Sequence, residues 1–310
     1  MKNQTYDLIG DIHGQHAKLL NLLTHLGYLP HDEGFRHPEG RKIVFLGDYI
    51  DRGPKIRETL LTVRAMVEAG DALAIMGNHE YNAVCYHTPD GKSGHLRQRR
   101  QMNVRQHAAT KHQFAGRDAE WGDWIEWMKR LPMFLDLGGL RAVHACWDAR
   151  GLALINGRTI ADDDFLHVSA DKGSPEFLAV ENILKGPELA LPDGHVFHDK
   201  EGTARHKVRV RWWDLPAAAR ISHLNMPEPF DIPGDAHPDD LRGIPDYGAG
   251  EPPVFVGHYW LPPERAHAPL KHNIACLDFS AAFGDNPLVG YRWEGEHHLE
   301  AANFVTTAHP

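Results

Sequence analysis

Cysteine is scarce in this chain of 310 residues: Cys85, Cys146 and Cys276 are too few and too scattered for a disulfide framework or a thiolate zinc site. Long hydrophobic runs are missing as well. Stretches such as Ile43 to Leu46 and Val254 to Val256 are strand-length, far short of the roughly 20 apolar residues that cross a bilayer, so no membrane partner is expected. No apolar signal-like core follows Met1, which makes the cytoplasm the default expectation. There is no basic excess either. Lys and Arg number 33 against 42 Asp and Glu, a formal net charge of −9, which argues against broad coating of phosphate backbones and any stable nucleic-acid partner. Internal repeats and low-complexity tracts are absent.

What is there is the composition of a folded protein, 42% hydrophobic and 24% charged, in a length that suits a single domain over residues 1–310. The outlier is 23 His, whose positions must decide their meaning. The first 80 residues alternate strand and helix patterns: Tyr6 to Ile9, Ala17 to Leu26, Ile43 to Leu46, Arg57 to Val67, and Leu73 to Met76. This βαβαβ order predicts an α/β fold whose reactive loops follow the carboxyl ends of parallel strands. Each strand runs into a glycine and a polar residue, at Gly10-Asp11, Gly47-Asp48 and Gly77-Asn78.

A helical insertion is expected around residues 86–130. Between Gly91 and Arg117 it holds no Asp or Glu but contains Lys92, Arg97, Arg99, Arg100, Arg105 and Lys111, either a cradle for a polyanion or a solvated helix face. Trp121, Trp124, Ile125 and Met128 then fall at i, i+3, i+4 and i+7, the apolar stripe of a helix whose first reading is core. Strand patterns at Met133 to Leu137 and Leu140 to Val143 lead directly into His144. Residues 225–253, rich in Pro, Asp and Gly, read as a long loop. The remainder, Val254 to Val256, Ile274 to Phe279, Leu288 to Trp293 and His298 to Val305, reads as antiparallel strands.

Five constellations carry the chemistry: Gly10-Asp11-Ile12-His13-Gly14; Gly47-Asp48-Tyr49-Ile50-Asp51-Arg52-Gly53; Gly77-Asn78-His79-Glu80; His144; and Gly257-His258. Singly, an Asp after a strand usually caps a helix and a lone His usually belongs to the core or the surface. Together they supply oxygen and nitrogen donors without thiolate, which suit Mn, Fe, Zn or similar ions.

These motifs resemble the calcineurin-like metallophosphoesterases, most closely the branch holding phosphoprotein phosphatases and symmetrical diadenosine tetraphosphate hydrolases. The resemblance covers most of residues 7–80 and two islands around His144 and His258. It implies two packed mixed sheets flanked by helices, an αββα sandwich. It also implies a pair of divalent ions, Mn foremost with Fe, Zn, Co or Ni as alternatives. Asp11 and His13 would hold the first, Asp48 would bridge, and Asn78, His144 and His258 would hold the second. His79 would be the general acid, oriented by Asp51, and Arg52 would fork onto phosphate oxygens. In that chemistry two cations roughly 3.5–4 Å apart activate a water for in-line attack on phosphorus.

The chain departs from the family pattern twice. His144-Ala145-Cys146-Trp147 stands where phosphoprotein phosphatases carry His-Gly-Gly, nearer to the dinucleotide hydrolases. Gly257-His258-Tyr259-Trp260 lacks the second His of the wider superfamily, leaving the first ion fewer protein donors. For a second phosphate-binding arginine the candidates are Arg209 and Arg211, Arg211 foremost of the two, and a salt-bridged strand face is the alternative reading of both. Cys146 reads as a packing residue, and Tyr49 is a candidate for the substrate border. The function expected is hydrolysis of a phosphorylated small molecule or nucleotide, a dinucleoside polyphosphate such as diadenosine tetraphosphate being favoured. A protein serine/threonine phosphatase acting on phosphoproteins is the nearest alternative, and a non-catalytic metal-binding scaffold is the alternative of another class.

Overall fold

A computed structural model describes residues 4–306, apart from 193–194, 199–203, 216–220, 222–225, 227–233, 235, 237 and 266. The chain begins with β1 (Tyr6–Ile9) and α1 (His16–His25). Leu19, Leu22 and Leu23 form the buried stripe of α1, and Gly27, at φ 86°, lets the chain turn back beyond its end. A hairpin that the patterning did not predict comes next, β2 (Leu29–His31) against β3 (Gly34–Arg36). Then come β4 (Lys42–Phe45), α2 (Ile56–Glu68) and β5 (Ala72–Ala74), so the expected βαβαβ order is present with parallel β1, β4 and β5. One buried charge is built into this sheet: Asp7 on β1 is gripped by Arg41 through Nε and Nη2 at 3.0 and 2.9 Å, and by Arg292 Nε at 3.3 Å. Such a pair is tolerable in the interior because the guanidinium fork satisfies both carboxylate oxygens.

Helices follow β5: α3 (Asn78–His87), and then, within residues 86–130, α4 (Gln101–Gln106), α5 (Ala108–Gln113) and α6 (Asp118–Lys129). Trp121, Trp124, Ile125 and Met128 are all buried, so the stripe is core. Next come β6 (Phe134–Asp136) and β7 (Arg141–Val143), paired antiparallel. Beyond β7 lie three helices that the patterning does not predict: α7 (Ala149–Ile155), α8 (Asp163–Ala170) and α9 (Pro175–Lys185). Helix α9 had legible signals: Ser174 Oγ accepts the Phe177 N–H, Pro175 stands in the first turn, and Gly186 succeeds it at φ 77°.

Two small ribbons come next, β8 (Glu188–Ala190) with β11 (Lys207–Arg209) and β9 (Phe197–His198) with β10 (Ala204–Arg205). Within residues 225–253, much of which lies outside the described residues, a short helix α10 (Pro238–Arg242) interrupts the expected loop, and Tyr247 is buried.

Near the C-terminal end the expectation of antiparallel strands is corrected. β12 (Val254–Val256) pairs parallel with both β7 and β13 (Ile274–Cys276), because the segment between β12 and β13 is long enough to cross over rather than turn. β14 (Val289–Trp293) is antiparallel to β1 and to β15 (Phe304–Thr306), and residues 301–303 form a 3-10 turn instead of extending that last strand. The result is a five-stranded sheet, β15-β14-β1-β4-β5, and a four-stranded sheet, β13-β12-β7-β6. They share one apolar core, in which Phe255 of β12 meets Tyr291 of β14 with ring centroids 5.0 Å apart. This is the αββα arrangement expected. Among the described residues no helix is long and apolar enough to cross a membrane.

Candidate metal centre

The loops after β1, β4, β5, β7 and β12 gather at one edge of the paired sheets, which brings together side chains as far apart in sequence as Asp11 and His258. Asp48, in the loop after β4, lies at the centre. Its Oδ2 is 3.5 Å from His13 Nε2 and 3.9 Å from His79 Nε2, while its Oδ1 is 3.4 Å from His144 Nε2 and accepts the His79 backbone N–H at 2.9 Å. Two donor clusters result: His13, Asp48 and His79 on one side, and Asp48, His144 and His258 on the other, with ligand atoms inside each within 4.8 Å of one another. Asn78 joins the second, its Oδ1 lying 3.1 Å from His144 Nε2 and 2.7 Å from His258 Nδ1.

The tautomers can be read from the second nitrogen of each ring. His13 Nδ1 faces Ile50 O at 2.8 Å and His144 Nδ1 faces Leu46 O at 2.7 Å. A carbonyl only accepts, so both Nδ1 atoms donate and both Nε2 atoms are turned into the site, the arrangement that metal-binding imidazoles adopt. His13 Nε2 is buried with no hydrogen-bond partner. Burial, His79 and Arg52 push the His13 imidazole down to about 3, so it is neutral and its lone pair is available.

Asp11 is placed differently. Its carboxylate accepts the His258 backbone N–H, at 3.2 and 3.0 Å for the two oxygens, and it falls in neither cluster. Burial, Asp278 and Asp48 push its carboxyl well above the usual range. Asp278, which sequence reasoning missed although it stands after β13 as Asp11 stands after β1, accepts the N–H groups of Trp260 and Ser280. No Lys or Arg among the described residues forms an ion pair with Asp11 or Asp278. Buried carboxylates this close together are costly unless a cation lies between them. The donor set, free of thiolate and rich in carboxylate, imidazole and amide oxygen, fits hard to borderline divalent ions.

Asp48 itself is held well below the usual carboxylate range: burial pushes it up, but the imidazoles of His144, His79 and His13 outweigh that. Glu80, named in the third motif without a role, underpins the loop. Its Oε2 accepts the N–H groups of Asp48 (2.8 Å) and Gly77 (3.0 Å), and its Oε1 accepts those of Tyr49 (2.8 Å) and Ile50 (3.3 Å). Burial and Asp48 raise Glu80 to about 7. Tyr49 is not at a substrate border, since it is buried in the core with its hydroxyl donating to Ile75 O at 2.6 Å.

His79 Nδ1 lies 2.6 Å from Asp51 Oδ2, the expected acid and orienter pair. Burial opposes the imidazolium, but Asp48 and Asp51 raise the ring above its ordinary value. Beyond that pair, Asp51 Oδ1 accepts from Thr110 and is met by His107, two partners no motif had indicated because they lie more than fifty residues away. The Arg52 guanidinium stacks over Trp260, Cζ to ring centroid 3.9 Å, with Phe283 at 5.5 Å. Of the two candidate arginines beyond it, Arg209 lowers the His258 ring, second only to burial in doing so, and Arg211 is half-buried beside the fully buried Trp212. Cys146 is a packing residue, fully buried, with its thiol pushed up by that burial. In the basic segment Arg97 is partly buried against Asn82 and Gln106, and Lys92, Arg99, Arg100, Arg105 and Lys111 are exposed.

A family model of calcineurin-like phosphoesterases matches residues 5–159, half of the chain. Among curated proteins, the chain is 42% identical over 74 residues to an asymmetrical bis(5'-nucleosyl)-tetraphosphatase PrpE of Anoxybacillus flavithermus, 24% of this chain and 30% of that one. It is 30% identical over 151 residues to the enzyme of the same name from Oceanobacillus iheyensis, 45% of this chain and 54% of that one. The matches thus span about half of these relatives' length or less. Solved structures similar to it include a protein serine/threonine phosphatase from Saccharomyces cerevisiae (13% identity, TM-score 0.47, covering 100% of this chain and 82% of that one). Another is a cold-active protein-tyrosine phosphatase from a Shewanella species (16% identity, TM-score 0.44, covering 98% and 80%).

Proposed function

The chain belongs to the calcineurin-like phosphoesterase family, and we propose that it hydrolyses phosphoric anhydrides or esters at two divalent ions, with a dinucleoside polyphosphate such as diadenosine tetraphosphate as favoured substrate. One observation carries this reading: the two oxygens of Asp48 face two different sets of buried donors. Asp11, His13 and Asp48 would hold one ion and Asp48, Asn78, His144 and His258 the other, with Mn foremost. When bound, such a pair supplies an activated water and neutralises charge on the phosphoryl group.

The side chains do the rest. Arg52, stacked on Trp260, forks onto non-bridging phosphoryl oxygens, and Arg211 or Arg209 is the second cation at the phosphate. Water forms the new P–O bond as the old one breaks, and the proton on His79 Nε2 passes to the departing oxygen. Such help is typically worth ~10²–10⁴ in rate. Asp51 retains the hydrogen bond to Nδ1 throughout.

The dinucleotide preference is supported by His144-Ala145-Cys146-Trp147 and by the names of the curated relatives. Gly-Asp-x-x-Asp-Arg-Gly and Gly-Asn-His-Glu, shared with phosphoprotein phosphatases, keep a phosphoprotein substrate as the second reading. The test is Mn-loaded protein on diadenosine tetraphosphate, a phosphopeptide, a mononucleotide and an aryl phosphate, beside Asp48→Asn. We expect the dinucleotide to be fastest and the variant to lose about 100-fold or more on every substrate. Two ADP as product would mark symmetrical cleavage, and ATP with AMP asymmetrical. Equal turnover by Asp48→Asn and the unaltered chain would sink the phosphoesterase reading, and a faster phosphopeptide would replace the substrate.

A further inference from the structure

We infer that His107, carried by the helical insertion, is a positioning residue for the proton donor, holding Asp51 so that Asp51 can hold His79. The inference rests on the role proposed above for His79. Its geometry is a continuous run of buried hydrogen bonds. His79 Nδ1 meets Asp51 Oδ2 at 2.6 Å, and Asp51 Oδ1 is met by His107 Nδ1 at 2.9 Å and by Thr110 Oγ1 at 2.6 Å. The Asp51 backbone N–H donates in turn to Thr110 Oγ1 at 3.0 Å. On its far side His107 Nε2 lies 3.1 Å from His87 Nε2, which also receives the Trp121 indole N–H at 3.1 Å.

A donor count settles the direction of the bonds that matter. An indole nitrogen only donates, so His87 Nε2 accepts from Trp121 and carries no hydrogen. His107 Nδ1 faces a carboxylate oxygen, which only accepts, so Nδ1 carries a hydrogen and donates it to Asp51. Asp51 thus has an imidazole ring on each oxygen. Burial and His107 push His87 down to about 4, consistent with a neutral acceptor ring.

The physical consequence is orientation. A carboxylate bound through one oxygen turns about its Cα–Cβ and Cβ–Cγ bonds, and the imidazole on the other oxygen turns with it. With Oδ1 pinned twice by the insertion, the plane of Asp51 is fixed, and His79 Nε2 is kept on the Asp48 side. His107 touches no phosphate ligand, so its loss should act on proton delivery rather than on binding. Proton delivery matters most when the leaving oxygen is a poor one.

The experiment compares His107→Phe, His107→Asn and His107→Gln on p-nitrophenyl phosphate and phenyl phosphate, with His79→Asn as reference. Phe preserves ring volume without donors, Asn keeps a donor near the Nδ1 position facing Asp51, and Gln keeps one near Nε2 facing His87. Expected is a kcat loss for Phe and Gln at least about tenfold larger on phenyl than on nitrophenyl phosphate, a part of the general-acid contribution, with KM within about twofold and Asn close to the unaltered protein. Equal losses on both substrates, or Asn and Gln behaving alike, overturn the inference. If Phe does not fold, the Asn and Gln pair decides by itself. Should His79→Asn show no extra loss on phenyl phosphate, the acid assignment fails instead, which separates the two conclusions. Histidine ring ¹⁵N spectra of the holoenzyme carrying a diamagnetic divalent ion give an independent readout: His107 Nδ1 should be protonated, and an unprotonated Nδ1 refutes the donor role.

Discussion

His13, Asp48, Asp51, Arg52 and His258 all have left-handed backbone, with φ between 47° and 69°. For residues with a side chain this costs on the order of 1–3 kcal/mol each, and it persists only where neighbouring groups over-determine it. Those groups are visible here: Glu80 accepts the Asp48 N–H, Thr110 the Asp51 N–H, and Asp11 the His258 N–H. Glycine would relieve the strain but would remove the very side chain being aimed. A prediction about pH belongs at the same scale. His87 is held at about 4 in the folded chain against an ordinary value of 6.5. Above 6.5 neither state binds the proton. As pH falls from 6.5 toward 4, the unfolded chain takes it up and the folded chain resists, so stability is lost across that window. Urea melts between about pH 7 and pH 5 should show a shallower loss for His87→Gln than for the unaltered protein. Identical slopes would show that His87 contributes nothing.

Among elements, the loops after β4 and β5 nest because two glycines let backbone approach backbone. A Cβ on Gly47, which sits at φ 96°, would fall 2.5 Å from Gly77 N and 3.0 Å from His144 Nδ1, and one on Gly77 would fall 2.2 Å from Asp48 Oδ1. Gly70, past the end of α2, also has positive φ, at 76°, but its added Cβ would meet nothing. Both Gly→Ala changes incur backbone strain of about 1 kcal/mol, and only Gly47→Ala must also push the two loops apart. Gly47→Ala should therefore lose metal-dependent turnover and unfold at a lower temperature than Gly70→Ala, whose turnover should be unchanged. Calorimetry and an aryl phosphate assay suffice, and equal behaviour of the two variants would contradict the close approach.

For the molecule as a whole, the centre joins two sheets. His13, Asp48 and Asn78 leave strands of the five-stranded sheet, while His144 and His258 leave strands of the four-stranded one. Ions bound there should stabilise the folded chain relative to the unfolded one, by about 2.7 kcal/mol when free metal is a hundredfold above Kd. Removing metal with a chelator should lower Tm, added Mn should restore it, and Asp48→Asn should show a much smaller shift in thermal melts. A Tm indifferent to chelator would mean that no ion bridges the sheets.

The sequence by itself determined the βαβαβ order and singled out the side chains that the structure brings together at one edge of it. Those are local facts: a strand, a glycine and a polar residue within a few positions, legible because the tight turn at the carboxyl end of a parallel strand admits few residue types. Only the tertiary structure decided that β12 and β13 run parallel, that the Arg209 charge acts on His258, that Asp278 joins Asp11, and that Asp51 is held by His107 as well as by His79. Each of these depends on which distant segments pack against one another. Burial of apolar faces selects that packing over the whole chain, and no short spacing encodes it.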